Sequence, residues 1–348
     1  MNESRTYIAV PPGESIREQI DNRGMTQKEF AARMGMSEKH ICRLISGDVQ
    51  LTADVARRLE MVLGVPASFW NELERGYRET LLLVEEENAM DEDVNLLRLI
   101  PYRELAALGW IKKAKSAYDK VIELRGFFEV AKLACIGERV LPYALRKVGE
   151  SEKHPYSEHA WIHKVRRESR GVEVADIDFA SLRNKIDELK RIAFIESFDE
   201  VRKKLCELLA SCGVVLVILP LLKGSRLHGA TFVENGKTVI SVSIRGKNAD
   251  VFWFTLFHEL GHVFCKHIGS RYMQDDNDER EADAFAENTL IPKNDYDTFI
   301  SKGDFSKKSI INFADKMKIP PFIVLGRLQK QNYVRYDMFS ELKKQYEF

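Results

Sequence analysis

The clearest strand-like patterns of apolar residues lie in the last third of the chain. A continuous apolar run over 214–219 predicts a buried strand. Two further runs, 229–233 and 238–244, flank the pair Asn235–Gly236, which is a strong hairpin-turn signal. Upstream of these runs, apolar residues recur at helical spacing. The pattern predicts an α+β, mostly helical protein with a small three-stranded sheet in its C-terminal part.

The same pattern divides the chain into three predicted regions. Residues 1–84 are predicted to form short helices separated by turn residues and to constitute the helix-turn-helix domain. Residues 94–195 form a predicted helical middle domain or linker that is rich in Leu, Ala, Lys and Arg. Residues 196–348 contain the strands and form the predicted C-terminal domain. The acidic run at 85–93 is either a linker or an exposed helix end, and the sequence leaves both alternatives open.

Composition and charge narrow the class of protein. A chain of 348 residues allows two or three domains, and its net charge of zero gives the whole molecule no electrostatic affinity for nucleic acid or membrane. The sequence shows no apolar stretch of transmembrane length and no signal-peptide core. Its five scattered cysteines are typical of free thiols in a reducing compartment. We therefore expect a cytoplasmic protein that does not bind membranes.

Residues 26–47 carry the signals of two short helices joined by a tight turn. Thr26 is placed to cap the first helix, and Gly35 provides the turn. Ser37 is placed to cap the second helix, and Gly47 is expected to end it. The positions expected to face the core are Ala31, Met34, Ile41 and Leu44. The segment therefore predicts an N-terminal helix-turn-helix bundle.

The second of these helices would be available to a major groove of double-stranded operator DNA. Positive charge drives phosphate binding, yet residues 25–47 have a surplus of only two positive charges. We therefore expect a homodimer, which doubles this surplus; the alternative is a small helical bundle used only for dimerisation. The predicted DNA-contacting residues are Gln27, Ser37, Glu38, Lys39, His40 and Arg43.

A metal-binding motif lies in the predicted helix after the strands. The run from His258 to His262 reads H-E-x-x-H, and residues four apart share a helix face, so both imidazoles can point at one ion. Glu259 would face the same pocket, where it can take a proton from the attacking water of a zinc peptidase. The alternative is a core helix whose two histidines have only structural hydrogen bonds. In such a helix, a buried Glu without a functional role would be energetically costly.

A catalytic zinc site requires a third protein ligand and leaves a fourth position open. Glu279 and Asp283 lie four residues apart in a good helix sequence and so share a face. We assign Glu279 to the zinc, and Asp283 to the imidazole that it would hold in one tautomer.

Three nearby polar residues are expected to stay outside this site. Glu281 points away from Glu279 on a helical wheel and is interpreted as a solvated charge. His267, five residues after His262, leaves the shared face and is interpreted as a surface histidine. Cys265 is interpreted as a small buried hydrophobic residue.

A peptide substrate is expected to lie antiparallel along an edge strand of the sheet and to use main-chain hydrogen bonds. The sequence favours 238–244 as that edge strand. A hydrogen-bond donor for the developing oxyanion is also expected. The candidates for this role or for other substrate contacts are His228, Arg245 and Tyr272.

Two families resemble the two ends of the chain. The N-terminal segment, from Pro-Pro-Gly-Glu at 11–14 to Ala-Ser-Phe-Trp at 67–70, resembles the HigA-type antitoxin branch of the Cro/repressor (XRE) domains. The C-terminal stretches 253–262, 279–286 and 290–292 resemble the ImmA/IrrE family of zinc metallopeptidases. This second resemblance implies a zincin-like domain with His258, His262 and Glu279 as zinc ligands and Glu259 as the base.

Together the resemblances imply a DNA-binding transcriptional regulator that carries a zinc-dependent endopeptidase. Such an enzyme would cleave a repressor, an antitoxin or another partner protein, or itself. The rival hypothesis is a HigA-like antitoxin or autorepressor, paired with a cognate toxin, whose zincin domain is a sensor or interaction module without general proteolysis.

Overall fold

The computed structural model describes residues 3–136, 155–225, 227–244, 248–268 and 276–346. The chain forms two compact units. The first comprises Met1–Leu97 with Lys115–Ile122, and the second comprises Arg98–Ala114 with Glu123–Phe348. The predicted domain boundaries, 1–84, 94–195 and 196–348, stay a prediction. No helix among the described residues is both long enough and apolar enough to cross a membrane.

The first unit is built from helices around a core that includes Phe30, Ile41 and Trp70. The long helix over Ala67–Leu96 contains the acidic run at 85–93, so that run is helical. The helices are α1 (Pro12–Asn22), α2 (Gln27–Met34), α3 (Glu38–Ile45), α4 (Ala53–Leu63) and α5 (Ala67–Leu96).

The helix-turn-helix predicted from the sequence is present in α2 and α3. The Thr26 hydroxyl accepts a hydrogen bond from the Glu29 N–H at 3.1 Å, and the Ser37 hydroxyl accepts one from the His40 N–H at 3.2 Å. Gly35, between the helices, has φ 65°, a left-handed conformation that favours glycine. Helix α3 ends at Ile45, slightly earlier than predicted. Ala31, Met34, Ile41 and Leu44 are buried as expected.

The region before the sheet is helical, as predicted, over its described residues. Phe127, Phe128 and Trp161 are buried in it. The Trp161 indole N–H donates to the Pro220 carbonyl at 3.2 Å and ties its helix to the first strand. The helices are α6 (Tyr102–Ala107), α7 (Ala117–Phe128), α8 (Pro155–Arg170), α9 (Phe179–Asn184), α10 (Ile186–Ile192) and α11 (Phe198–Ala210), with a 3₁₀ turn at Leu133–Cys135.

The three predicted strands form one sheet. They are β1 (Val214–Pro220), β2 (Gly229–Glu234) and β3 (Lys237–Ile244), in the order β1-β3-β2. Strand β1 pairs parallel with β3, and β2 pairs antiparallel with it through a two-residue turn. Asn235 and Gly236 in that turn have φ 51° and 80°, as a hairpin of this kind requires.

The prediction that 238–244 is an edge strand is wrong. Strand β3 is paired on both sides, so its backbone hydrogen-bonding groups are occupied by its neighbours. The strand at the edge next to the predicted metal helix is β2. Strand order depends on long-range pairing, which the local apolar pattern of a segment does not encode.

The metal-motif helix, α12 (Ala249–Phe264), lies at the centre of the second unit. It contacts β2 and β3 as well as two of the helices that follow it. Phe252, Trp253 and Phe257 are fully buried, and the Trp253 indole N–H donates to the Tyr346 hydroxyl at 2.7 Å. The later helices are α13 (Asp276–Leu290), α14 (Lys293–Ser301), α15 (Lys307–Met317) and α16 (Pro321–Lys330), with a 3₁₀ turn at Ser340–Leu342.

Candidate metal centre

Helices α12 and α13 bring three metal-binding side chains together. The Nε2 atoms of His258 and His262 lie 3.1 Å apart. The Glu279 carboxylate lies 3.2 Å from Nε2 of His258 and 3.5 Å from Nε2 of His262. Ligand atoms from all three residues lie within 4.8 Å of one another. Two imidazole nitrogens and one carboxylate oxygen, converging in this way, form a donor set that suits zinc.

Asp283 holds one of the two imidazoles in a defined orientation. The Nδ1–H of His258 donates to the Asp283 carboxylate at 2.8 Å, which directs Nε2 of the ring towards Glu279 and His262. Burial lowers the pKa of His258, but the hydrogen bonds to Asp283 and Glu279 outweigh it and raise the pKa to about 10. A divalent cation bound at Nε2 would take the place of the proton that these carboxylates favour on the ring.

Glu259 is buried beside the two histidines and is held by strand β2. Only 5% of the residue is exposed, and the Thr231 hydroxyl donates to its carboxylate at 2.5 Å. Gly229 allows this approach, because a Cβ there would lie 2.4 Å from Oε1 of Glu259. Burial raises the pKa of Glu259 to about 7, against the opposing effects of the His258 charge and the Thr231 hydrogen bond.

The imidazole of His262 contacts the ring of a third histidine, His267. Nδ1 of His262 lies 3.3 Å from Nδ1 of His267, and Nε2 of His267 lies 3.2 Å from the Glu281 carboxylate. Burial lowers the pKa of His262 to about 4, and the charge on His258 lowers it in the same direction. The interpretation of His267 as a surface histidine is therefore wrong, since only 6% of it is exposed.

The reason for this error is that α12 ends at Phe264, so helical spacing does not extend to His267. Lys266 adopts φ 62°, a left-handed conformation that turns the chain back. The His267 N–H then donates to the His262 carbonyl at 2.8 Å. Glu281, interpreted as a solvated charge, has an exposed side chain, but that side chain contacts His267.

A cleft of about 530 Å³ opens beside these side chains. Strand β2 forms part of its wall, and His228 lies there next to Gly229. Arg245 and Tyr272, the other predicted substrate contacts, lie outside the described residues. Much of the remaining wall is apolar and includes Phe254, Leu290, Ile291, Phe322, Ile323 and Leu325.

The close packing of α13 against α12 depends on a glycine. A Cβ at Gly261 would lie 2.9 Å from Cα of Ala282 and 3.0 Å from its carbonyl oxygen. Ala282 lies between Glu279 and Asp283 in the sequence, so this contact fixes how near their carboxylates come to the histidines. Gly261, Gly229 and Thr231 were not identified from the sequence, because their importance depends on contacts between separate segments.

The predicted DNA-contacting residues lie at the starts of the two helices of the helix-turn-helix. Helix α3 presents them in its first two turns, and Gln27 begins α2. His40 is half-buried, whereas the others, Gln27, Ser37, Glu38, Lys39 and Arg43, are exposed.

Comparisons with known proteins match both ends of the chain. The helix-turn-helix family matches residues 16–70, and the IrrE N-terminal-like domain of peptidase family M78 matches residues 211–329. The uncharacterized HTH-type transcriptional regulator YddM of Escherichia coli (strain K12) is 30% identical over 80 residues, which cover 23% of this chain and 81% of that protein.

Fold, site and comparisons together define a helix-turn-helix DNA-binding regulator domain and a peptidase-like domain on one chain. The chain belongs to the XRE-type helix-turn-helix regulators and carries an IrrE/ImmA-like domain of family M78. The mostly helical α+β class predicted from the sequence is confirmed.

Gly261→Ala is expected to abolish tight zinc binding by the full-length protein. The added methyl group would force α13 away from α12 and carry Glu279 out of reach of the histidines. Zinc content and affinity, measured by competition with a chromogenic chelator, test this. The control is Gly126→Ala in α7, where an added Cβ meets nothing within 4 Å. Parent-like zinc affinity in Gly261→Ala would contradict the role assigned to this contact.

Asp283→Asn is expected to weaken zinc binding by about 10- to 100-fold, because the His258 ring loses the charged partner that orients it. The same competition assay measures the effect. Asp297→Asn, which removes an exposed carboxylate paired with Lys293, serves as the control and should bind zinc like the parent. Equal affinities for the two variants would show that Asp283 does not position the ligand.

Proposed function

We propose that this protein is a DNA-binding transcriptional regulator whose C-terminal domain is a zinc-dependent endopeptidase. Its substrate would be a repressor, an antitoxin or another partner protein, or the chain itself. The observation that carries the proposal is the convergence of His258, His262 and Glu279 beside a cleft, with Glu259 buried next to them. The match to peptidase family M78 supports it.

His258, His262 and Glu279 would hold the zinc ion. A bound zinc ion supplies Lewis-acid activation of the attacking water and of the scissile carbonyl. The Asp283 carboxylate keeps the His258 ring in the tautomer whose Nε2 is free to bind a cation. This arrangement of two imidazoles, one carboxylate and a hydrogen-bonded partner is typical of catalytic zinc sites.

Glu259 would act as the general base. Its carboxylate lies on the cleft side of α12, and the Thr231 hydroxyl fixes one of its oxygens. Burial raises its pKa towards neutrality, which allows it to accept a proton from water and later donate it to the leaving amine. His258 and Glu279 would hold the cation and Asp283 would orient His258, which leaves the proton transfer to Glu259.

The substrate would pair with the edge of β2 that no strand covers among the described residues. The His228 carbonyl accepts a hydrogen bond from the Ser243 N–H at 2.7 Å, so alternate residues from His228 direct their backbone groups towards β3. Gly229, Thr231 and Val233 direct theirs away from the sheet. An extended peptide added antiparallel here would pass in front of Glu259, and apolar residues of the cleft would contact its side chains.

Glu259→Gln is expected to retain zinc and to lower proteolysis by about 10²- to 10⁴-fold, since the amide cannot accept the proton. The protein is co-expressed with its genomic neighbours, and new N-termini are compared between parent and variant by mass spectrometry. Zinc content is measured on the same preparations.

Glu200→Gln, a change in an exposed ion pair on α11, is the matched control and should cleave like the parent. A Glu259→Gln variant that cleaves at the parental rate would rule out this base. A zinc-loaded parent that shortens no protein, while still binding its operator, would favour the antitoxin or autorepressor in which the zincin domain is a sensor.

For the N-terminal domain, we propose that α3 contacts the major groove of operator DNA and that a homodimer binds two half-sites. The exposed side chains at its start, among them Ser37, Lys39 and Arg43, support this orientation. Arg33 forms an ion pair with Glu29 at 2.6 Å, so its charge is partly neutralised. Lys39 and Arg43 on α3 would supply charged contacts to the phosphates or bases.

Arg43→Ala is expected to weaken operator binding by about 10- to 100-fold, through the loss of a charged contact to DNA. Fluorescence anisotropy with a fragment of the gene's own promoter, at fixed salt concentration, measures the change. Lys302→Ala removes an exposed positive charge outside this domain and should leave binding unchanged. Binding by Arg43→Ala as tight as that of the parent would exclude α3 as the recognition helix.

A further inference from the structure

A second group of metal-binding side chains lies beyond the end of α12. A thiol sulfur from Cys265, an imidazole nitrogen from His267 and a carboxylate oxygen from Glu281 lie within 4.8 Å of one another. Asp278 lies beside this group, with its Oδ1 atom 3.5 Å from Nε2 of His267. The proposed peptidase reaction uses none of these four side chains as a reacting group.

Two of these four side chains are buried and the other two are accessible to solvent, as in a preformed metal site that is open on one side. His267 and Asp278 are each only 6% exposed, so both polar groups face each other away from bulk water. Cys265 is half-buried and Glu281 is exposed, which leaves a route by which a cation can enter. A thiolate together with an imidazole selects zinc and related transition metals, whereas Mg²⁺ and Ca²⁺ prefer oxygen ligands alone.

We propose that Cys265, His267 and Glu281, with Asp278 beside His267, form a second binding site for a divalent transition-metal ion such as zinc. The three converging donors supply one sulfur, one nitrogen and one oxygen, which leaves the fourth position of a tetrahedral site for water or for the Asp278 carboxylate. On binding, the Cys265 thiol gives its proton to the solvent, and His267 binds the ion through Nε2 in its neutral form.

The two metal sites are coupled through the contact between His262 and His267. An imidazole that binds a cation through Nε2 carries its proton on Nδ1. With both sites loaded, two N–H groups would face each other across 3.3 Å, where neither can accept a hydrogen bond. A metal ion in the second site therefore weakens the binding of the first ion by His262. Excess metal would in this way lower the metal occupancy of the peptidase site.

Cobalt titration of the metal-free, full-length protein tests the second site without any measurement of cleavage. A Cys thiolate bound to Co²⁺ gives a near-ultraviolet charge-transfer band, and the first site contains no cysteine. We expect two equivalents of Co²⁺ to bind and this band to appear. Cys265→Ser should lose the band and one equivalent, and should keep the visible absorption of Co²⁺ at the first site.

Two variants serve as controls. Cys206→Ser removes a half-buried thiol whose Sγ donates to the Leu216 carbonyl, and should retain both equivalents and the band. His258→Ala destroys the first site and should retain the band. Its affinity for the second ion should rise about fivefold, because His262 can then accept a hydrogen bond from His267.

Absence of the band at saturating Co²⁺ would overturn the proposal, as would a band that persists in Cys265→Ser. An unchanged affinity in His258→Ala would overturn the coupling between the sites. These outcomes are distinct from failure of the proposed peptidase, because Glu259→Gln alters neither set of donors and should bind two equivalents like the parent.

Discussion

The close packing of α13 on α12 at Gly261 is the contact on which the candidate metal centre depends. Glycine in a helix interior costs about 1 kcal/mol relative to alanine. Here the missing side chain lets the backbone of Ala282 approach to a distance that any Cβ would prevent. Ala282 lies between Glu279 and Asp283 on the same helix, so this backbone contact sets how near both carboxylates come to His258.

The buried polar groups around this contact stabilise one another in pairs. Asp283 is paired with His258, Thr231 with Glu259, and His267 with His262. Such pairing is required in an apolar environment, where an unpaired polar group is costly. It does not explain why both Nε2 atoms and the Glu279 carboxylate point at one place. A purely structural histidine pair would not need that convergence, whereas a bound cation would.

Elements with strong local signals could be predicted from the sequence. The caps at Thr26 and Ser37, the Asn235–Gly236 hairpin and the metal motif each depend on a few neighbouring residues. In these cases the physical cause lies within one segment, so the segment alone is sufficient.

The incorrect predictions share a different origin. The edge strand was misassigned because β3 receives partners on both sides, one of them from the distant β1. His267 was misplaced because a left-handed lysine, rather than a glycine, ends the turn after α12. Gly229 and Thr231 were missed because only the packing of β2 under α12 gives them a role. Each error concerns a contact between segments or a backbone conformation with no residue signature.

Strand β2 connects substrate binding with proton transfer in the proposed reaction. Gly229 and Thr231 both contact the Glu259 carboxylate through their inward side, by close approach and by a hydrogen bond respectively. The backbone groups of the same two residues point away from β3, to the edge where a peptide would pair. A peptide that draws β2 towards itself would therefore also move the hydroxyl that orients the base. A poorly fitting peptide would leave Glu259 misaligned, so selectivity can arise at the proton-transfer step as well as in binding.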